Sequence, residues 1–137
     1  MGKKFKKDIT SLDLIFDYIN TFVSTWQLDA SISFSIRFVV EELFTNMVKY
    51  NRGAMNDILI SLKKNNQNVI IGLVDYDVEP FDLTKVADVD ITKPLEFRRA
   101  GGLGIHIVKR MVDQIHYEYE NRNSKITVIK NLEQHNA

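Results

Sequence analysis

The sequence predicts an α+β fold: a two-layer sandwich in which helices pack on one face of a mixed, mostly antiparallel sheet. Two stretches near the start carry apolar residues at helical spacing, and two later pairs of β-branched stretches each enclose a short polar turn. Strands joined by such turns form hairpins and not βαβ crossovers, so we expect the helices to cover one face of an antiparallel sheet.

The first two helices follow from apolar stripes. Thr10–Asp13 resembles a capping box ahead of the first stripe, which consists of Leu12, Ile15, Phe16, Ile19, Phe22, Val23 and Trp26. The second helix is predicted to start between Asp29 and Ser33 and to end near Gly53, which can take the left-handed C-cap conformation. Its apolar residues are Ile36, Val39, Val40, Leu43 and Met47.

The remaining elements are four strands and a third helix. The predicted strands are Ile58–Leu62, Val69–Val74, Ile115–Tyr119 and Ile126–Lys130. Lys64–Asn68 and Asn121–Ser124 supply the two turns, and Leu103–Val112 has the apolar side of a helix. Between Asp75 and Gly104 periodicity disappears, and loops of this length inside compact domains are usually functional.

Composition excludes several classes of function. With 137 residues, 45% hydrophobic and 26% charged, the chain is predicted to be one globular domain spanning 1–137. Basic and acidic residues balance at 18 each, so nothing in the total charge argues for nucleic acid or an anionic membrane as a partner. The lysine pairs near the start are interpreted as a frayed terminus. Cysteine is absent, which excludes disulfides and thiolate chemistry. Without a membrane-spanning or signal segment, a cytoplasmic location is expected.

The most informative motif lies in the second helix. Glu42 and Asn46 are four residues apart and therefore share a helix face, whereas Glu41 lies about 140° from Asn46. A carboxylate beside a carboxamide suits a general base next to an oxygen ligand for Mg²⁺. The alternative is a solvated helix face.

Two further motifs flank the long loop. Asp75 ends a strand, where its carboxylate can accept a hydrogen bond from an exocyclic amine such as that of adenine; the alternative is an acidic turn. Gly101, Gly102 and Gly104 lead into the third helix, whose bare backbone N–H groups can face a phosphate. The spacing fits neither a dinucleotide-binding fingerprint nor a Walker A loop, and the alternative is a flexible loop before the helix.

In this order the three motifs resemble the Bergerat ATP-binding fold of GHKL ATPases and kinases, and most closely the anti-sigma-factor serine kinases of the RsbW and SpoIIAB type. The resemblance implies that Glu42 is the catalytic base, that Asn46 holds Mg²⁺ and that Asp75 reads adenine. It implies that the end of the ATP lid contacts the phosphates through Gly101, Gly102, Leu103 and Gly104. Thr127 matches a threonine that supports the adenine-reading Asp.

The function implied is an ATP- and Mg²⁺-dependent protein serine/threonine kinase that acts as an anti-sigma factor. Such a protein is a homodimer that sequesters a sigma factor and phosphorylates a STAS-domain anti-anti-sigma partner. Asp77 departs from the resemblance, since the family has Gly there, and its side chain could crowd the pocket or repel phosphates. This departure favours an alternative function, a non-catalytic, nucleotide-gated regulatory binding module of the same fold.

Overall fold

The computed structural model describes residues 2–50, 56–80 and 102–132. The elements in these ranges are, in chain order, β1 (Gly2–Phe5), a 3₁₀ turn (Ile9–Ser11), α1 (Leu12–Thr25), α2 (Ala30–Tyr50), β2 (Ile58–Lys64), β3 (Asn68–Tyr76), α3 (Gly102–Met111), β4 (Gln114–Glu120) and β5 (Asn123–Asn131). The predicted stop at Gly53 and most of the long loop lie outside the described residues.

The described sheet has the order β1-β2-β3-β5-β4, and each neighbouring pair in it is antiparallel. One face of this sheet is buried by the helices. On β3, Val69, Ile71 and Leu73 are buried, whereas Ile70 and Val74 on the other face are half-buried. The α+β fold with helices on one face of the sheet is confirmed.

Both predicted helical stripes contribute to the core. Ile15 and Ile19 of α1 are buried, and so are all five apolar residues predicted for α2. Trp26 at the end of the first stripe is instead 49% exposed, and the ammonium group of Lys64 lies 5.2 Å from its ring centroid. The indole therefore lies at the surface against a lysine and not in the core.

The predicted capping box at the start of α1 is wrong. Ser11 precedes α1 and makes no side-chain cap to it, and its hydroxyl donates to the carbonyl of Lys6 at 2.8 Å. The hydroxyl of Thr10, the cap residue of the predicted box, donates to the carboxylate of Asp8 at 2.9 Å. The cap comes one turn earlier. The carboxylate of Asp8 accepts the backbone N–H of Thr10 at 2.8 Å and so begins the 3₁₀ turn.

The interpretation of the first residues as a frayed terminus is also wrong. Gly2–Phe5 pair with β2 as an edge strand, and Phe5 is buried with its ring 5.6 Å from that of Tyr18. Lysines give an isolated sequence little strand character, yet they are suited to a sheet edge because their charge discourages further pairing. The consequence is that Lys7, which follows this strand, is 4% exposed.

The two hairpins agree with prediction, and their turns are now defined. In the β2–β3 turn, the side-chain oxygen of Asn65 accepts the N–H groups of Gln67 and Asn68. The β4–β5 turn is a two-residue turn of Asn121 and Arg122, whose φ angles of 53° and 64° are those of a type I′ hairpin. None of the described helices is long and apolar enough to cross a membrane.

Candidate functional site

Glu42 and Asn46 form a hydrogen-bonded pair on α2. The side-chain amide nitrogen of Asn46, Nδ2, donates to the carbonyl of Glu42 at 2.7 Å and to its carboxylate Oε1 at 2.8 Å. Asn46 is 3% exposed and Glu42 is half-buried, whereas Glu41 is exposed. The helical spacing therefore brings together the pair that the sequence predicts.

This pairing orients both side chains. Because Nδ2 of Asn46 is held by Glu42, the carbonyl oxygen Oδ1 lies on the other side of the amide. Carboxamide and carboxylate oxygens are the ligand atoms that Mg²⁺ prefers. Within the described ranges, no group of three or more His, Asp or Glu side chains could hold a metal ion on its own. A cation at Asn46 would need further oxygens, and nucleotide phosphates are the usual source for Mg²⁺.

Gly104 packs directly against the Glu42 carboxylate. A Cβ atom at position 104 would overlap the carboxyl carbon and both oxygens of Glu42. The third helix thus approaches α2 at a point where no side chain fits, which places the start of α3 beside the carboxylate. With the Glu42 carboxylate in this position there is no space for a Cβ atom at position 104, whereas the backbone conformation of Gly104 does not itself demand glycine.

The N-terminus of α3 contributes to the electrostatics of the site. Gly102 is the first residue of the helix, its first turn has no acidic residue, and Lys109 and Arg110 lie in its last turn. The partial positive charge of a helix N-terminus favours an anion such as phosphate. Gly101 and the side chain of Leu103 lie outside the described parts of the chain.

Asp75 is completely buried near the end of β3 and forms an ion pair with Lys7. The ammonium nitrogen lies 3.0 Å from each carboxylate oxygen of Asp75. Sequence reasoning missed Lys7, because one lysine among four near the start carries no signal of burial. The pairing depends on β1, which that reasoning also missed.

The register of β3 and β5 does not bring Thr127 to Asp75. Thr127 lies opposite Gly72, and it alternates with Ile126 and Val128, which face the helices. Ser124 lies opposite Asp75 instead, is 1% exposed, and has its hydroxyl 3.4 Å from that of Tyr117. The residue opposite Asp75 follows from the register of the two strands, which the sequence of neither strand specifies alone.

Asp77 occupies the position where the sequence departs from the family pattern. Its φ of 55° lies in the left-handed region, which glycine adopts freely and which Asp tolerates better than most residues. Its carboxylate is about half exposed, with Oδ1 2.7 Å from Nε of Arg122. Hydrogen bonds to Asp77 and then Glu79 raise the pKa of the Arg122 guanidinium. The extra charge is therefore paired with a cation at the protein surface.

The arrangement of these residues can be compared with known families. A model of the family described as the histidine kinase-like ATPase domain matches residues 5–130. The chain belongs to this family. The matched range contains Glu42, Asn46, Asp75 and Gly104. The match supports ATP as the ligand of the site. No individual curated protein matches the chain.

Proposed function

We propose that this ATPase domain is a Mg²⁺-ATP-dependent protein serine/threonine kinase of the anti-sigma type. It binds a sigma factor, phosphorylates a STAS-domain anti-anti-sigma partner, and works as a cytoplasmic homodimer. The observation that carries the proposal is the position of the Glu42 carboxylate. It accepts a hydrogen bond from Asn46, and Gly104 packs against it. A domain that only binds nucleotide has no need for an oriented base.

The proposed transfer proceeds by direct displacement. Glu42 accepts the proton of the substrate Ser or Thr hydroxyl while that oxygen forms a bond to the γ-phosphorus and the bond to the β-phosphate oxygen breaks. The products are the phosphorylated partner and ADP. Bound Mg²⁺ would neutralise charge on the phosphates, with Asn46 Oδ1 as the protein ligand. The start of α3 would stabilise the phosphate charge through its backbone N–H groups.

The base end of the nucleotide would lie at Asp75. Both oxygens of this buried carboxylate accept hydrogen bonds when it is ionised, which suits the exocyclic amine of adenine. Asp77, which favoured a non-catalytic binding module, has its charge paired with Arg122 at the surface. Because this charge is paired at the surface, Asp77 favours the non-catalytic binding module less than the sequence alone implied.

The test compares Glu42→Gln with Glu41→Gln, a matched control one residue away that is exposed. We expect Glu42→Gln to keep binding Mg²⁺-ATP in calorimetry but to lose transfer by a factor of about 10²–10⁴, the usual contribution of a general base. Glu41→Gln should keep both. Transfer is measured as the gain of one phosphoryl mass by a candidate STAS-domain partner in mass spectrometry.

Unchanged transfer by Glu42→Gln would remove Glu42 from the role of base. If wild type binds Mg²⁺-ATP, holds its partners in pull-down experiments and transfers nothing to any STAS-domain candidate, the nucleotide-gated binding module becomes the better description. Homodimer formation is measured separately by sedimentation, since the transfer assay does not depend on it.

A further inference from the structure

Lys7 has no part in the chemistry proposed above, yet its charged group is buried. The side chains of Lys7 and Asp75 are 1% and 0% exposed, and the ammonium nitrogen contacts both carboxylate oxygens at 3.0 Å. Burial of an ammonium group is costly unless an opposite charge compensates it, and the reverse holds equally for the carboxylate. The two opposite charges therefore compensate each other inside the protein.

The backbone around Lys7 is fixed on both sides. The carbonyl of Lys6 accepts the backbone N–H of Asp8 and the hydroxyl of Ser11, each at 2.8 Å. The carboxylate of Asp8 in turn accepts the backbone N–H and the hydroxyl of Thr10, at 2.8 and 2.9 Å. Lys7 thus lies between two anchored residues, and its inward direction follows from the local fold.

We propose that Lys7 determines nucleobase specificity: it holds the buried Asp75 carboxylate in its ionised form, so that the site selects a base with an exocyclic amine over a 6-oxo base. The inference rests on the proposed function, in which Asp75 meets the base. Lys7 acts through Asp75 and is a positioning residue. Ser124 is the β5 residue opposite Asp75, and its neutral hydroxyl cannot replace the charge of Lys7.

The chemistry of the carboxyl group explains the selection. An ionised carboxylate only accepts hydrogen bonds, which matches the 6-amino donor of adenine and opposes the 6-oxo group of hypoxanthine. A buried carboxyl group without a compensating cation takes up a proton. The protonated form has a hydroxyl donor that a 6-oxo group can accept. Removing the charge of Lys7 therefore removes the reason to prefer ATP over inosine triphosphate.

The experiment measures Mg²⁺-dependent binding of ATP and of inosine triphosphate by calorimetry. Wild type should bind ATP about 10- to 100-fold more tightly, the value of a hydrogen bond to a charged group. Lys7→Met should reduce this preference at least about tenfold. Lys6→Met, which changes an exposed neighbouring lysine, should retain it. Asp75→Asn should reduce the preference as Lys7→Met does, and adding Lys7→Met to Asp75→Asn should change it no further.

Two results would overturn the inference directly. One is a folded Lys7→Met protein with the wild-type preference. The other is a wild type that prefers inosine triphosphate, since Lys7 itself would then donate to the base. If Lys7→Met does not fold, as judged by circular dichroism, Lys7→Gln takes its place, because it keeps a neutral donor without the charge. A retained ATP preference in Lys7→Gln would equally contradict the inference.

The same measurements separate this inference from the proposed function. A folded wild type that binds neither nucleotide contradicts the proposed function itself. A wild type that binds both nucleotides equally leaves nucleotide binding intact and contradicts the role of Lys7 alone.

Discussion

Replacing Gly104 with alanine should damage the site far more than the fold. The added Cβ would overlap the carboxyl group of Glu42. This group is the far end of a flexible side chain, so we expect it to rotate away while the backbone of α3 stays in place. Rotation breaks the 2.8 Å hydrogen bond from Asn46 to Oε1 but leaves the 2.7 Å bond from Asn46 to the carbonyl of Glu42.

The effect on stability is the difference between two contributions. A hydrogen bond to a charged group stabilises by about 1.5–3 kcal/mol when buried, and by less here because Glu42 is half-buried. Alanine is favoured over glycine inside a helix by about 0.8–1 kcal/mol. The net change is a loss of about 1 kcal/mol in the free energy of unfolding. A displaced base, on the other hand, lowers phosphoryl transfer about 10²- to 10⁴-fold.

The assay is urea unfolding of wild type, Gly104→Ala, Glu42→Ala and the double variant. Once Glu42 is alanine, no carboxylate overlaps the new methyl group, and Gly104→Ala should then stabilise the protein by about 0.8–1 kcal/mol. The coupling free energy between the two positions is therefore about 2 kcal/mol. If Gly104→Ala has the same effect in both backgrounds, Gly104 and Glu42 are not in contact and the assigned geometry is refuted.

Two further predictions concern Asn46 and Asp8. Asn46→Ala should weaken Mg²⁺-dependent ATP binding about tenfold or more, because an oxygen ligand of the cation is lost. Asn66→Ala, in the exposed β2–β3 turn, should not weaken it. Wild-type ATP binding that is equally tight with and without Mg²⁺ would contradict this prediction. Chiefly the backbone N–H of Thr10, and then its hydroxyl, lower the pKa of the Asp8 carboxyl. The stabilisation from Asp8 is thus present above its unfolded pKa of about 3.9 and is lost as pH falls through the lower folded value. The free energy of unfolding, measured with urea as a function of pH, should therefore fall less steeply at acid pH in Asp8→Asn than in wild type. An equally steep fall in both proteins would contradict the role of Asp8 as a cap.

Elements with strong periodicity could be predicted from the sequence, and those that depend on long-range pairing could not. The 3.6-residue period alone predicts the core face of α2. It also predicts that Glu42 and Asn46 lie close enough on this helix to contact each other. The strand β1 has no local pattern, because pairing with Leu59 and Ile60 of β2 and not its own composition makes it a strand.

The candidate site divides in the same way. The sequence identifies Asp75 as a carboxylate at a strand end, but its counter-ion Lys7 is 68 residues away along the chain and becomes apparent only once β1 is in the sheet. Thr127 was chosen by resemblance, but it lies three residues from Ser124 along β5, and this odd offset places the two side chains on opposite faces of the sheet. Register, which brings Ser124 opposite Asp75, is a property of the pairing and not of either strand.

Asp77 has a consequence for how chains of this family are recognised. Considered alone, an acidic residue at a position where the resemblance implies glycine would suggest that the ATP site has lost its function. Its left-handed conformation, its backbone N–H bonded to Asn123 and its ion pair with Arg122 belong to a local structure shared with a hairpin turn more than 40 residues later. A motif search that demands glycine at position 77 would miss this chain, although Asp77, Asn123 and Arg122 together complete the local structure there.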